Sequence, residues 1–231
     1  MAVICVCNTK GGVGKTTTVI CLADALARMG YSVAIIDADP NGHVASWKEI
    51  IGDDSPVTVI PDVDDTTVQD HIEQASATHA FVFIDLEGAA SQTVNFAVPM
   101  SDLVLMPTRT SGMDLQELYR TEEVVARIRR SHMRYAGPDA VKIVSRAIFS
   151  QIPPLSNSVT SHARAQVAEK GIEVLETEIL ARPRGYGAIH YNGVTPSHPA
   201  GDEKANKEIQ AVIKEIMPIL GYEAPQAETA A

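Results

Sequence analysis

Short runs of β-branched and other apolar residues alternate along this chain with longer stretches whose apolar positions recur every three or four residues. That alternation predicts a parallel sheet with crossover helices. Val3 to Val6 reads as the first strand, and its unbroken apolar character suits a strand covered on both faces. Further strands are expected over Ser32–Ile36, Val57–Ile60, Phe81–Ile84, Leu103–Met106, Ile143–Phe149 and Val174–Ile179, with Pro107 closing the fifth. A helix is predicted from Lys15 to Met29. Its positions Val19, Leu22, Ala23, Leu26 and Met29 follow helical spacing, and Gly30 is a natural stop. A long helix is expected from Met113 to Met133, before a Gly137-Pro138 turn, and a last one from Glu203 to Leu220. The expectation is one domain over residues 1–222, followed by a disordered tail at 223–231 rich in Ala, Glu, Pro, Gln and Thr.

Composition narrows the class. The chain has 231 residues and a formal net charge of −10, which argues against coating by nucleic acid through bulk charge. Cys5, Cys7 and Cys21 make an odd count without a disulfide framework, so a reducing, cytosolic setting is expected. Cys5 and Cys7 read as buried apolar residues rather than metal ligands. The start lacks the features of a signal peptide, and no apolar run approaches the length of a membrane span.

The strongest chemical signal is Lys10-Gly11-Gly12-Val13-Gly14-Lys15-Thr16-Thr17, placed between the first strand and the first helix. Its glycines permit positive φ and close approach of the backbone to an anion. The free N–H groups of the following helix, helped by its dipole, then face phosphates. Lys15 would place a point charge on the β and γ phosphates, and Thr16 a hydroxyl on Mg²⁺. The motif in this context predicts ATP and magnesium as cofactors on a three-layer P-loop NTPase fold, a mostly parallel twisted sheet with helices on both faces. The bland alternative is a glycine-rich turn before a helix.

Carboxylates stand at two predicted strand ends, where ligands of open parallel sheets bind. Asp37-Ala38-Asp39-Pro40 follows the second strand, and alternation along an extended segment points Asp37 and Asp39 the same way. Asp85 follows Phe81-Val82-Phe83-Ile84, the Walker B pattern in which a carboxylate holds a magnesium-bound water. Capping of strand ends is the alternative for the first pair.

The loop resembles the deviant phosphate loop of the ParA/MinD superfamily, with Thr9 where the usual loop begins with glycine, and with the extra Lys10. The resemblance implies that Lys10 crosses a dimer interface to the partner's ATP; a cation added in cis is the alternative. It also implies that Asp39 orients the attacking water and that Asp37 lies in the outer shell of Mg²⁺. Pro107-Thr108, Ser111-Gly112-Met113-Asp114-Leu115 and Arg184, Tyr186 and Gly193 match more loosely. Two departures stand out. Leu86-Glu87-Gly88 replaces the family's Thr-Pro-Pro type segment, though Gly88 remains a candidate hinge, and Phe149-Ser150-Gln151 lacks the usual Asn. Base contacts are therefore sought in the backbone around Arg182-Pro183-Arg184. The likeness is to small ParA proteins without an N-terminal helix-turn-helix, and to ParA-like proteins of conjugative and T-DNA transfer. It implies an ATP-state homodimer, a ParB-like or other stimulating partner, and ATP hydrolysis that positions or segregates DNA. The alternatives are an ATP-gated scaffold for a DNA-transfer complex and a P-loop small-molecule synthase.

Arg120, Arg127, Arg130 and Arg134 recur at spacings of seven, three and four on the long helix and share one face, with Arg129 and Lys142 near in sequence. This is the candidate surface for non-specific DNA, against the alternative of a solvated face balanced by Glu122 and Glu123. Residues 203–220 mix Glu203, Glu208 and Glu215 with Lys204, Lys207 and Lys214, so no basic membrane-binding face is expected. Lone His132 and His162 read as surface residues. A cytoplasmic, nucleoid-associated location is the expectation.

Overall fold

The computed structural model describes residues 1–89, 91–137, 143–155 and 157–223. Strands β1 (Ala2–Val6), β2 (Val33–Ala38), β3 (Thr58–Ile60), β4 (Phe81–Leu86), β5 (Leu103–Thr108) and β6 (Val144–Phe149) form one sheet. Their order is β3-β2-β4-β1-β5-β6, with every neighbouring pair parallel. Parallel neighbours require crossovers, which are mainly α1 (Lys15–Arg28), α2 (His43–Ile51), α3 (Val68–Thr78), α4 (Gln92–Ala97) and α5 (Gly112–Ala136), and α6 (Asn157–Glu169) follows the last strand. Two short helices, α7 (Pro183–Tyr186) and α8 (Ala188–Asn192), precede α9 (Glu203–Ile219).

Each central strand feeds two cores by simple alternation. Ile4, Val6, Phe81, Phe83, Leu103 and Leu105 pack with α1, α2 and α9, while Val3, Cys5, Val82, Ile84, Val104 and Met106 pack with α3, α4, α5 and α6. This explains why the strands read as continuous apolar runs. Cys5, Cys7 and Cys21 are buried free thiols. Burial pushes Cys5 up to about 12 despite a hydrogen bond from Ser101, and raises the other two as well.

Several sequence expectations change. Val174–Ile179 is not a seventh strand: it meets β6 at an isolated bridge, Ala147 with Val174, and at one further bond, from Ile179 N–H to the Phe149 carbonyl at 2.9 Å. The cause is Glu215 of α9, whose carboxylate takes the N–H groups of Glu176 and Thr177, both at 2.7 Å, away from strand pairing. Nor does Pro107 close β5, which continues to Thr108. The last pairing of β5 with β1 is at Leu105, so the missing N–H of Pro107 breaks no bond to β1, and its carbonyl accepts from Asn8 Nδ2 at 2.8 Å. Helices α2, α3, α4 and α6 add to the three expected from periodicity. Their buried stripes are narrow, Val44, Trp47 and Ile51 in α2 and Thr160, Ala163 and Val167 in α6. The expected tail lies outside the described residues apart from Glu223, and Lys142 lies outside them altogether.

A buried carboxylate ties the layer behind the site together. Asp24 of α1 accepts from Arg28 Nε at 2.6 Å, from Ser55 Oγ at 2.6 Å and from Thr195 Oγ1. These contacts join α1 to the loops after α2 and α8. Asp24→Ala should lower the free energy of unfolding in urea by about 3 kcal/mol, because it strands three donors around a buried position. A loss below about 1 kcal/mol would show that the network adds little.

Candidate functional site

The turn between β1 and α1 is shaped before any ligand arrives. Gly12 and Gly14 have φ of 72° and 94°, left-handed values at which a side chain is strained. Gly14 is the N-cap of α1; it offers no side-chain cap, and the first turn of the helix carries no acidic residue. The first N–H groups of α1 are thus left for an anion. Two residues after β6 grip the loop from its other side: Ser150 Oγ donates to the Val13 carbonyl at 2.6 Å, and Gln151 Nε2 donates to the Gly12 carbonyl at 3.1 Å. Gln151 itself holds a φ of 56°, uncommon for a residue with a side chain.

Thr9, in place of the usual glycine, binds the loop to α5. Its hydroxyl donates to Glu117 Oε2 at 2.7 Å, and its N–H donates to Thr121 Oγ1 at 3.1 Å. Lys10 N–H donates to Asn8 Oδ1 at 2.9 Å. With its backbone fixed in this way, Lys10 sends its side chain to Asp114 in the first turn of α5, Nζ to Oδ1 2.7 Å. Burial alone would raise the Asp114 carboxyl. The Lys10 and Ser111 hydrogen bonds and the Arg109 charge outweigh it and hold the group below the usual carboxylate range. Lys15 is buried at 7% exposure, its Nζ 3.4 Å from the Lys10 carbonyl.

Behind the loop, three carboxylates converge on the C-terminal ends of β2 and β4. Asp37 and Asp85 are paired in register across the two strands. Asp37 accepts the Ala45 N–H of α2 at 2.9 Å, and Asp39 accepts from Asn41 N and Nδ2 at 2.9 and 2.8 Å. Burial raises Asp37, against hydrogen bonds from Ala45 and Asp39. Asp85 is wholly buried, and neither of its oxygens has a hydrogen-bond partner. Burial pushes its pKa from 3.8 up to about 7. The Thr16 hydroxyl lies close enough to lower it, though outside hydrogen-bonding geometry; Asp37 and Asp39 raise it, and Lys15 lowers it.

Orphaned carboxylate oxygens beside a threonine hydroxyl suit a hydrated magnesium ion, which keeps waters and takes phosphate oxygens. Among the described residues no three His, Cys, Asp or Glu side chains cluster tightly enough to hold a metal unaided. The donor set fits magnesium delivered with a nucleotide. Thr16 would ligate it, while Asp85 and Asp37 would hold its waters.

Gly11, Gly12, Gly14, Lys15, Thr16, Thr17 and Asp39 line one cleft of about 520 Å³, together with Thr9, Asn41, His43, Glu87, Gln151 and His190. A second cleft of about 390 Å³ adjoins it through Gly14, Thr17, Gln151 and His190, with an apolar wall that includes Ile179, Leu180 and Pro183. Of the proposed base-contact segment, Arg182 and Pro183 line this cleft and Arg184 does not. Glu208 fixes the wall by accepting from Leu180 N, Arg182 Nε and Tyr186 Oη at 3.1, 2.7 and 2.8 Å. Lys10 faces a separate hollow with Asp114 and Gln151.

Sequence reasoning missed Ser150, Gln151 and Asp114 as loop partners, and His43 and His190 as lining residues. For Ser150 and Gln151 the departure from the family's Asn was the available signal. The candidate DNA residues sit elsewhere. Arg120, Arg127, Arg130 and Arg134 are all exposed on α5, whereas Arg129 turns inward to Ser145 Oγ at 2.7 Å.

A glycine-rich loop between a central parallel strand and an uncapped helix, with a buried lysine and carboxylates at the neighbouring strand ends, defines a P-loop nucleotide-binding protein. The chain matches the CobQ/CobB/MinD/ParA nucleotide binding domain family over residues 4–228 and belongs to it. It is 30% identical over 204 residues to Protein ParA of Rhizobium radiobacter, covering 84% of each chain. It is 26% identical to Protein virC1 of the same organism, covering 79% of this chain and 78% of that one. Its fold is also that of cobyrinic acid a,c-diamide synthase from Mycobacterium smegmatis, solved with bound ADP and magnesium, with a TM-score of 0.69 and 16% identity over 98% of both chains.

The buried Asp85 gives a pH signature. Its folded pKa lies above its ordinary value, so the native state binds this proton more tightly than the unfolded chain. The group's favourable contribution at low pH is lost as pH rises from about 4 through about 7. Asp85→Asn should therefore raise the melting temperature of the nucleotide-free protein at pH 8, by on the order of 5 °C, and change it little at pH 5. Calorimetric scans at both pH values check this; a shift of equal size at the two would contradict titration of the buried carboxyl as its origin.

Proposed function

We propose that the chain is an ATP-dependent dimerising switch: it binds ATP with Mg²⁺, hydrolyses it, and uses the cycle to position or segregate DNA. The observation that carries this reading is the direction of Lys10. The loop holds two lysines, but only Lys15 lines the phosphate cleft, while Lys10 is held 2.7 Å from Asp114 to one side. A cation that the chain does not direct at its own phosphates is available to a second copy, where it can neutralise charge on the transferred phosphoryl group.

In this reading Lys15 and the N–H groups of residues 11–17 hold the phosphates. Thr16, Asp37 and Asp85 secure the metal and its waters. Asp39, past the end of β2 and on the cleft, orients the attacking water. Bound magnesium supplies charge neutralisation between the phosphates. Family membership and the likeness to Protein ParA support partition as the output, with a ParB-like or other partner that stimulates turnover. Such stimulation separates this reading from an ATP-gated scaffold. Among the described residues no helix is long and apolar enough to cross a membrane. A cytoplasmic, nucleoid-associated site of action follows from the DNA role.

Lys15→Ala should weaken ATP binding at least about a hundredfold by calorimetry, close to 3 kcal/mol. Lys10→Ala should retain ATP binding yet lose turnover and the ATP-dependent dimer seen by light scattering. Unaltered dimer and turnover in Lys10→Ala would refute the role in trans.

The exposed arginines of α5 are proposed to meet DNA phosphates. Among the described residues nothing pairs with Arg127, Arg130 or Arg134, while Arg120 is tied to Glu117 at 2.5 Å. Replacing Arg127, Arg130 and Arg134 with Ala should flatten the slope of log affinity against log salt by about two to three units, at about 0.9 per phosphate contact. Filter binding with ATP across a salt series measures it. An unchanged slope would place these arginines on a solvated face.

A further inference from the structure

Asp114 is approached by two cations, and the second has an unfinished grip. The carboxylate is only 4% exposed. Its Oδ1 takes Lys10 Nζ at 2.7 Å and lies 3.4 Å from Arg109 Nη2, while its Oδ2 takes the Ser111 hydroxyl. Arg109 Nε is buried with no hydrogen-bond partner. Nε and Nη2 form the edge of a guanidinium that grips a carboxylate side-on through two parallel bonds. Arg109 thus holds half of such a fork, at a long distance, on the oxygen it shares with Lys10, while the other oxygen takes Ser111 and can accept a second donor.

The surroundings keep this arrangement in place. Arg109 follows the last residue of β5, and Asp114 lies in the first turn of α5. The buried Thr108 hydroxyl lies within bonding distance of the carbonyls of both, at 3.2 and 3.4 Å. Closing the fork needs only a side-chain movement. A buried donor without a partner is unfavourable in a purely structural contact, and a second state that satisfies it gives it a purpose.

This inference rests on the reading that Lys10 leaves Asp114 to act in a second copy. If Lys10 left alone, a buried carboxylate would lose its closest cation, which is strongly destabilising. We propose that Arg109 is the positioning residue that makes Lys10 removable: as Lys10 departs, the Arg109 guanidinium closes on Asp114 and keeps the carboxylate paired. The exchange of one cation for another then sets how often Lys10 is free to reach across.

The test is the dimer dissociation constant in a non-hydrolysable ATP analogue with Mg²⁺, by analytical ultracentrifugation. Arg109→Ala should weaken the dimer about tenfold, since Lys10 stays on Asp114. Arg109→Lys, which keeps the charge but cannot fork, should fall between the two. In Arg109→Ala combined with Asp114→Asn nothing holds Lys10, so the dimer should return to within about twofold of Asp114→Asn alone. Three results would overturn the exchange: Arg109→Ala dimerising like the wild type, Arg109→Lys no better than Arg109→Ala, or a double variant no better than Arg109→Ala. The last would place Arg109 on the nucleotide or in the interface itself. A wild type that forms no dimer, or Lys10→Ala that dimerises as well as the wild type, would overturn the reading beneath it and the exchange together. A wild-type dimer that is lost in Lys10→Ala and kept in Arg109→Ala would overturn the exchange alone.

Discussion

A loop that binds phosphate through backbone N–H groups must leave those groups uncapped and still keep its shape. The rest of this structure answers that constraint. Helix capping would satisfy the donors and remove the site, so Gly14 caps α1 without a side chain. The shape is enforced from outside instead. Ser150 and Gln151 hold two loop carbonyls from the end of β6, and Thr9 ties the loop's start to α5. Those clamps come from the β5–β6 side of β1, while Asp37 and Asp85 stand on its β2–β4 side. The β-strand order therefore places every part of the frame around one turn of chain.

Charge is distributed on the same plan. Asp37, Asp39 and Asp85 form a negative pocket behind the loop, and Asp85 has no donor of its own. Lys15 moderates it from the front, and Lys10 is drawn aside to Asp114. Without a ligand the arrangement holds one unsatisfied carboxylate and one lysine that does not face the phosphates. In the proposed cycle a magnesium nucleotide relieves the first, and a second copy of the chain uses the other.

What could be read from the sequence was whatever lies in consecutive residues. The first strand, the phosphate loop, Asp37 to Asp39 and Asp85 each sit inside a short motif whose local periodicity fixes their place. The clamps could not be read in this way, because Ser150 and Gln151 meet residues 137 and 139 positions earlier. Only the strand order brings them together. Asp114 belongs to a family-like segment, yet its bond to Lys10 depends on how α5 begins beside the loop. Helices α2, α3 and α6 escaped because three buried positions each, such as Val68, Ile72 and Ala75 in α3, make a faint stripe. The false seventh strand had the opposite cause: its apolar residues do pack inward, but Glu215 claims the backbone donors that a ladder would need.

The central claim is that each catalytic site is completed by the lysine of another copy, and it is tested most directly by mixing two inactive variants. Lys10→Ala retains Asp39 for its own nucleotide, and Asp39→Ala retains a Lys10 to donate. An equimolar mixture would form mixed dimers, each joined by one Lys10 and carrying one complete site, so phosphate release should recover to a substantial fraction, at most about half, of the wild-type rate. A mixture that stays as inactive as either variant alone would contradict the account.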